Sequence, residues 1–149
     1  TLPPGSGNLW GAEHGPRGGD EINLVSKGAN YGWPVITYGM NYNGTPITAL
    51  TQKDGMEQPQ HYWVPSIAVS GIDFYTGDRF PEWRNHLLVG SLAKEQLRLV
   101  RIEGGKVTGD ELLVQGRGRI RDVVNGPDGY PYLVMLRGTG GIYRLVPKS

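Results

Sequence analysis

The stretch Trp10–Val25 reads W-G-A-E-H-G-P-R-G-G-D-E-I-N-L-V. It crowds Trp10, Glu13, His14, Arg17, Asp20 and Glu21 around a loop with four glycines and one proline. Gly15, Gly18 and Gly19 permit backbone shapes that other residues resist, and Pro16 fixes its own φ. A backbone bent this tightly can turn carbonyl oxygens or amide groups toward a ligand. The same residues also fit an ordinary turn with a solvated charge cluster. A second pair with chemical promise is Arg119 and Arg121. They stand two apart on a strand, so their side chains share a face. Charge-assisted, often bidentate bonds suit arginine to carboxylates. Two surface arginines are the plain reading, and Asp122 beside them falls on the opposite face.

The elements that must position these groups read as strands and turns. Asn8 to Glu13 is a short apolar and aromatic run, and Glu21 to Val25 alternates with period two. Ser26 to Asn30 turns the chain, and Pro34 ends the unit. Val35 to Tyr62 has no sustained period and reads as a long connection lying over the domain, its aromatics favouring order. Strand character resumes at Ile67 to Tyr75. Leu87 to Leu92 reads as an inner strand and Gln96 to Ile102 as the next. Glu103-Gly104-Gly105 signals a hairpin turn, and Val107 with Leu112 to Val114 supplies an outer strand. Ile120 to Val124, Tyr130 to Leu136 and Ile142 to Val146 form a second unit, one strand short.

Composition narrows the class. The chain has 149 residues, enough for one modest domain, and 38% are apolar, which supplies a core. Glycine is abundant, at 24 residues beside 11 prolines, without an every-third-residue period. Collagen is thereby excluded, and the glycines fall between short apolar runs. A net charge of +1 gives no general attraction to nucleic acid. Cysteine is absent, which excludes disulfides and thiol chemistry. No apolar run reaches the roughly eighteen residues of a membrane span. No signal peptide is seen, and the opening T-L-P-P-G-S-G-N-L-W resembles an entry from the middle of a fold.

An internal echo points to architecture. Leu9-Trp10-Gly11-Ala12, a glycine-rich loop and Glu21-Ile22-Asn23-Leu24-Val25 parallel Tyr132-Leu133-Val134-Met135, a glycine-rich loop and Gly141-Ile142-Tyr143-Arg144-Leu145-Val146. Repeated short antiparallel sheets with glycine turns mark an all-β propeller. A sandwich or small barrel is the competitor. A propeller needs at least four blades, or roughly 160 residues, to close. Residues 1–149 hold about two and a half to three four-stranded units, with a long loop at about 35–62. Part of a larger propeller is therefore expected, the remaining N-terminal part lying in the same polypeptide or a second chain.

Residues 7–34, G-N-L-W-G-A-E-H-G-P-R-G-G-D-E-I-N-L-V-S-K-G-A-N-Y-G-W-P, resemble the soluble quinoprotein aldose sugar dehydrogenases of the glucose/sorbosone dehydrogenase family. V-P-S-I-A-V-S-G-I-D-F-Y (64–75), F-P-E-W-R-N-H-L-L-V-G-S-L (80–92) and G-R-I-R-D-V-V-N-G-P-D-G-Y (118–130) agree in order. The resemblance implies the C-terminal half of a six-bladed propeller. It implies pyrroloquinoline quinone (PQQ) and Ca2+ near the propeller axis, and oxidation of aldoses to lactones with electrons passed to an external acceptor. A periplasmic or secreted location goes with it.

By the same resemblance, Gly15 and Pro16 match the pair whose carbonyls hold calcium, a hard cation that seeks oxygen ligands. His14 takes a cofactor-contacting position where the best-known glucose-oxidising member has glutamine. Arg119 and Arg121 match the arginines that meet the cofactor carboxylates. A cofactor lysine is implied just after Ser91-Leu92. Ala93 stands in the simplest register and Lys94 one place later; a one-residue shift of the turn brings Lys94 inward, and a solvent-facing lysine is the alternative. Trp63 matches an aromatic at the pocket mouth, an ordinary buried tryptophan being the alternative. Asp20 and Glu21 suit a second, structural calcium site or a balance to Arg17.

The family's general base, a histidine, and a further cofactor arginine come from an earlier blade. Neither His61 nor His86 lies in a matching motif, so no catalytic residue is assigned, and activity of this chain alone is not expected. A non-catalytic propeller module binding carbohydrate or another ligand is the alternative function. Ser91 lacks the context of an activated nucleophile.

Overall fold

The computed structural model describes residues 1–148. Its strands are β1 Leu9–Glu13, β2 Asp20–Val25, β3 His61–Trp63, β4 Val69–Phe74, β5 Leu87–Ser91, β6 Gln96–Glu103, β7 Lys106–Gln115, β8 Arg119–Asn125, β9 Pro131–Leu136 and β10 Gly141–Arg144. They form three antiparallel sheets, ordered β1-β2-β3, β4-β5-β6-β7 and β10-β9-β8. The only helical element among the described residues is a 3₁₀ turn at Pro81–Trp83. The chain is thus all-β and builds part of a β-propeller, as its glycine-punctuated runs predict.

The middle sheet shows why the sequence folds this way. All five residues of β5 are buried, because both faces of that sheet are covered. Leu87 and Val89 join Trp10, Ile22, Val69 and Phe74 in the core against the first sheet. Leu88 points the other way, into a second core with Leu97, Leu99, Ile120, Val123 and Leu133. The period-two alternation of a strand is what lets one sheet serve two cores.

β4 and β8 pack side by side, and β1 also touches β4. The approach is tight. A β-carbon at Gly71 would lie 2.1 Å from Asp122 Oδ1, and one at Gly90 would lie 2.8 Å from Ile120 Cγ2. Glycine is required there because the sheets converge on this side, as blades do toward a common axis. On the free edge of β1, Thr1 exchanges two backbone hydrogen bonds with Trp10, each 2.9 Å.

One expectation changes. The loop expected through Tyr62 ends earlier, because His61–Trp63 forms β3 and pairs with β2. Three residues carry too little periodicity to be read locally, and the strand forms because β2 offers an edge. Leu87–Ser91 is an inner strand as expected, second in its sheet between β4 and β6. The rest of the long connection is ordered by cross-links. Arg17 and Met40 exchange backbone hydrogen bonds of 3.1 and 3.2 Å, and Thr37 N–H donates to Leu50 O at 3.1 Å. The Tyr38 and Tyr62 rings stack at 3.8 Å. The third sheet has three strands, and every residue of its last strand, β10, is exposed.

Candidate functional site

β1 and β2 deliver the glycine loop to one end of the first sheet. Gly15 has no room for a side chain, since a β-carbon would sit 2.3 Å from Gly18 O. Gly19 has φ +75, and a β-carbon there would lie 2.6 Å from Gly39 N. The loop is therefore pressed flat on itself and on the segment around Tyr38–Met40. Three of its amide groups are engaged: Gly15 N–H donates to Asp20 Oδ1, Arg17 N–H to Met40 O, and Gly19 N–H to Trp63 O. Among the described residues no hydrogen bond ends on the carbonyl oxygen of Gly15 or Pro16.

A cleft of about 380 Å³ opens beside this loop, lined by Glu13, His14, Gly15, Pro16, Gly19, Glu21 and Thr37, with Tyr31, Trp33 and Tyr42 as an aromatic wall. His14 is exposed and Gly15 buried. Glu13 and Glu21 are direct cross-strand partners, so two carboxylates face each other. Asn23 Nδ2 donates to both, at 2.7 and 3.2 Å. Burial pushes the Glu21 carboxyl above its ordinary value, Asn23 opposes this, and the Glu13 charge adds to it.

The remaining sequence-predicted residues lie outside the cleft lining, and the structure places them as follows. Lys94 is exposed in the turn between β5 and β6. That turn is tied to the entry of β4 by Leu92 N–H to Ala68 O at 2.9 Å and Ala93 N–H to Ile67 O at 3.1 Å. Arg119 and Arg121 are exposed on β8, flanking buried Ile120. A register break between Ile120 and Asp122 makes Arg121 the extra residue of a bulge, and Asp122, expected on the face opposite the arginines, is exposed as they are. Ser70 Oγ donates to Ile120 O at 2.6 Å, linking β4 to the arginine segment. The glycine loop (through Asp20), the turn that carries Lys94 and the backbone at Ile120 are each hydrogen-bonded to the segment 66–70. Trp63 is elsewhere. It is 8% exposed, packs in the first core, and its indole donates to Asp110 Oδ2 at 2.9 Å.

Asp20 is corrected most clearly. It was expected at a second calcium site or balancing Arg17. Instead it is fully buried, and its two oxygens accept four hydrogen bonds from Gly15, Ser66, Ile67 and Val69. Ser66, Trp33 and Tyr42 join the site region without having been predicted. Ser66 sits in the V-P-S-I-A-V-S-G segment, but nothing in that run reveals a partner 46 residues away.

The implied cation fits the backbone better than the side chains. Among the described residues no group of three or more His, Cys, Asp or Glu could hold a metal ion. The Gly15 and Pro16 carbonyls are oxygen ligands of the type calcium takes. Arg119 and Arg121 are suited to an anionic cofactor.

Comparison with known proteins agrees with these features. The family model described as Glucose / Sorbosone dehydrogenase matches residues 1–144. The aldose sugar dehydrogenase YliI of Escherichia coli K12 is 46% identical over 152 residues, covering 100% of this chain and 41% of that protein. The apo crystal structure of the soluble aldose sugar dehydrogenase from Escherichia coli superimposes with a TM-score of 0.92 at 44% identity, over 99% of this chain and 44% of that one. A PQQ-bound aldose sugar dehydrogenase from Streptomyces coelicolor shares the fold, with a TM-score of 0.67 at 24% identity over 92% of this chain and 39% of that one. The chain spans less than half the length of these relatives. With the glycine loop, the converging sheets and a family match over nearly its whole length, the chain belongs to the glucose/sorbosone dehydrogenase family.

Proposed function

We propose that these residues form one side of the cofactor pocket of a PQQ- and calcium-dependent aldose sugar dehydrogenase. The enzyme oxidises the anomeric carbon of aldoses to lactones and passes the electrons to an external acceptor. The observation that carries this reading is the glycine loop whose Gly15, Arg17 and Gly19 amides donate hydrogen bonds while, among the described residues, none ends on the Gly15 or Pro16 carbonyl. Those carbonyls hold calcium, His14 donates to the cofactor, and Arg119 and Arg121 neutralise its carboxylates. Lys94 reaches in from the β5–β6 turn, and Trp63 supports β3 behind the loop. When bound, PQQ with calcium as Lewis acid supplies the two-electron acceptor that side chains lack.

The base that takes the sugar hydroxyl proton comes from upstream blades, so residues 1–149 are inactive alone. The complete protein works in the periplasm or outside the cell, its N-terminal blades closing the ring. The test is dye reduction by the full-length protein, loaded with PQQ and Ca2+, across several mono- and disaccharides. Aldose-dependent reduction that vanishes in Gly15→Ala and Arg121→Ala supports the reading. No reduction with any sugar overturns it in favour of a binding module.

A further inference from the structure

We propose that Asp20 is a positioning residue for the calcium-binding carbonyls, a single buried carboxylate that locks the glycine loop to the entry of β4. The inference rests on the reading that Gly15 and Pro16 ligate calcium. Asp20 Oδ1 accepts the Gly15 N–H at 2.9 Å and the Ser66 hydroxyl at 2.6 Å. Its Oδ2 accepts the N–H groups of Ile67 at 3.1 Å and Val69 at 2.9 Å. The residue is 0% exposed, so these four donors take the place of solvent around its two oxygens.

The donor set selects a carboxylate. Four donors converge on two oxygens, and an amide in the same place would turn N–H against N–H or O–H. The peptide joining His14 to Gly15 is planar, so fixing the Gly15 N–H fixes that plane and the point from which the Gly15 carbonyl departs. The far side of the loop is held by Gly19 N–H on Trp63 O at 2.8 Å and by the Arg17–Met40 pair. Between these anchors stand the two carbonyls that accept no hydrogen bond. Asp20 also organises the facing segment. Ser66 Oγ accepts the Ala68 N–H at 2.9 Å, and Ala68 holds φ 56, a left-handed backbone rare for alanine. One carboxylate therefore ties the β1–β2 loop to the connection between β3 and β4.

The test is calcium titration of the PQQ-free full-length protein by isothermal calorimetry, for Asp20→Asn, Ser66→Ala and Gly15→Ala. The relevant calcium event is the one that Gly15→Ala abolishes. Groups that orient metal ligands typically contribute about 10- to 100-fold in affinity. Asp20→Asn is expected to weaken that event by about this factor while circular dichroism shows a folded protein. Ser66→Ala, which keeps the charge and removes one donor, is expected to weaken it by less. Unchanged calcium affinity in a folded Asp20→Asn protein overturns the proposal and leaves Asp20 a purely structural residue. If Asp20→Asn does not fold, unchanged affinity in Ser66→Ala overturns it instead. Calcium binding that Gly15→Ala does not affect overturns the underlying reading of the loop, and the proposal with it.

Discussion

The indole of Trp63 donates to Asp110 Oδ2 at 2.9 Å, joining the last strand of one sheet to the outer strand of the next. His61 Nε2 lies 3.2 Å from the same oxygen, and Arg98 Nε donates to Oδ1 at 2.6 Å. Burial pushes the Asp110 carboxyl up, but bonds from His61, Arg98 and Trp63 outweigh it and hold the group at about 2, against an ordinary 3.8. A depressed carboxyl pKa gives stability that is present above the unfolded value and lost as pH falls through the folded one. The shift corresponds to about 2 kcal/mol. Chemical denaturation of the wild type should show this contribution fading between about pH 4 and pH 2. Asp110→Asn should lose a similar amount at pH 7 and lack that component of the acid slope.

Glu21 should behave with the opposite sign. Burial and the facing Glu13 raise its pKa above 4.5, despite the Asn23 bond. A raised carboxyl pKa favours the folded state at low pH and costs stability as pH rises through it. Glu21→Gln should therefore be more stable than wild type at pH 7 in calcium-free buffer. The difference should shrink as pH falls toward 4.5, the ordinary glutamate value. Paired melting curves at the two pH values check it.

Gly15→Ala should be costly out of proportion to one methyl group. The added carbon meets backbone atoms of Gly18 and Gly19 at 2.3–2.8 Å, and backbone cannot swing aside. Overpacking of this kind typically costs about 1–3 kcal/mol. Gly7→Ala, where a β-carbon would meet nothing within 4 Å, is the control and should melt like wild type.

Arg119→Ala and Arg121→Ala should spare the melting temperature, because both side chains are exposed. Under the proposed function each loses charge-assisted hydrogen bonds of about 1.5–3 kcal/mol, so PQQ affinity should fall roughly 10- to 100-fold. Fluorescence titration of the full-length apoprotein reads this. Wild-type affinity in both variants would remove the arginines from the pocket.

Much of the scaffold was legible because strands announce themselves locally. The alternation in Glu21–Val25 and Gln96–Ile102, and the glycine turns at Gly104-Gly105 and Gly126–Gly129, all report on near neighbours. β3 was not legible, because its three residues form a strand only through a partner some forty positions earlier. Asp20 was misread for the same reason. An aspartate after two glycines looks solvated until the donors at Ser66, Ile67 and Val69 are folded onto it. The bulge at Arg121 breaks the period-two rule through the pairing of β8 with β9, which no local pattern encodes.

The last strand has a practical side. All four residues of β10 are exposed, and Ile142 is 73% exposed on a strand that, among the described residues, pairs along one edge. Such an edge is a template for intermolecular pairing. Residues 1–149 handled as an isolated polypeptide will self-associate through Gly141–Arg144 as concentration rises. A lysine at Ile142 is the simplest way to keep such a preparation monodisperse without touching the glycine loop.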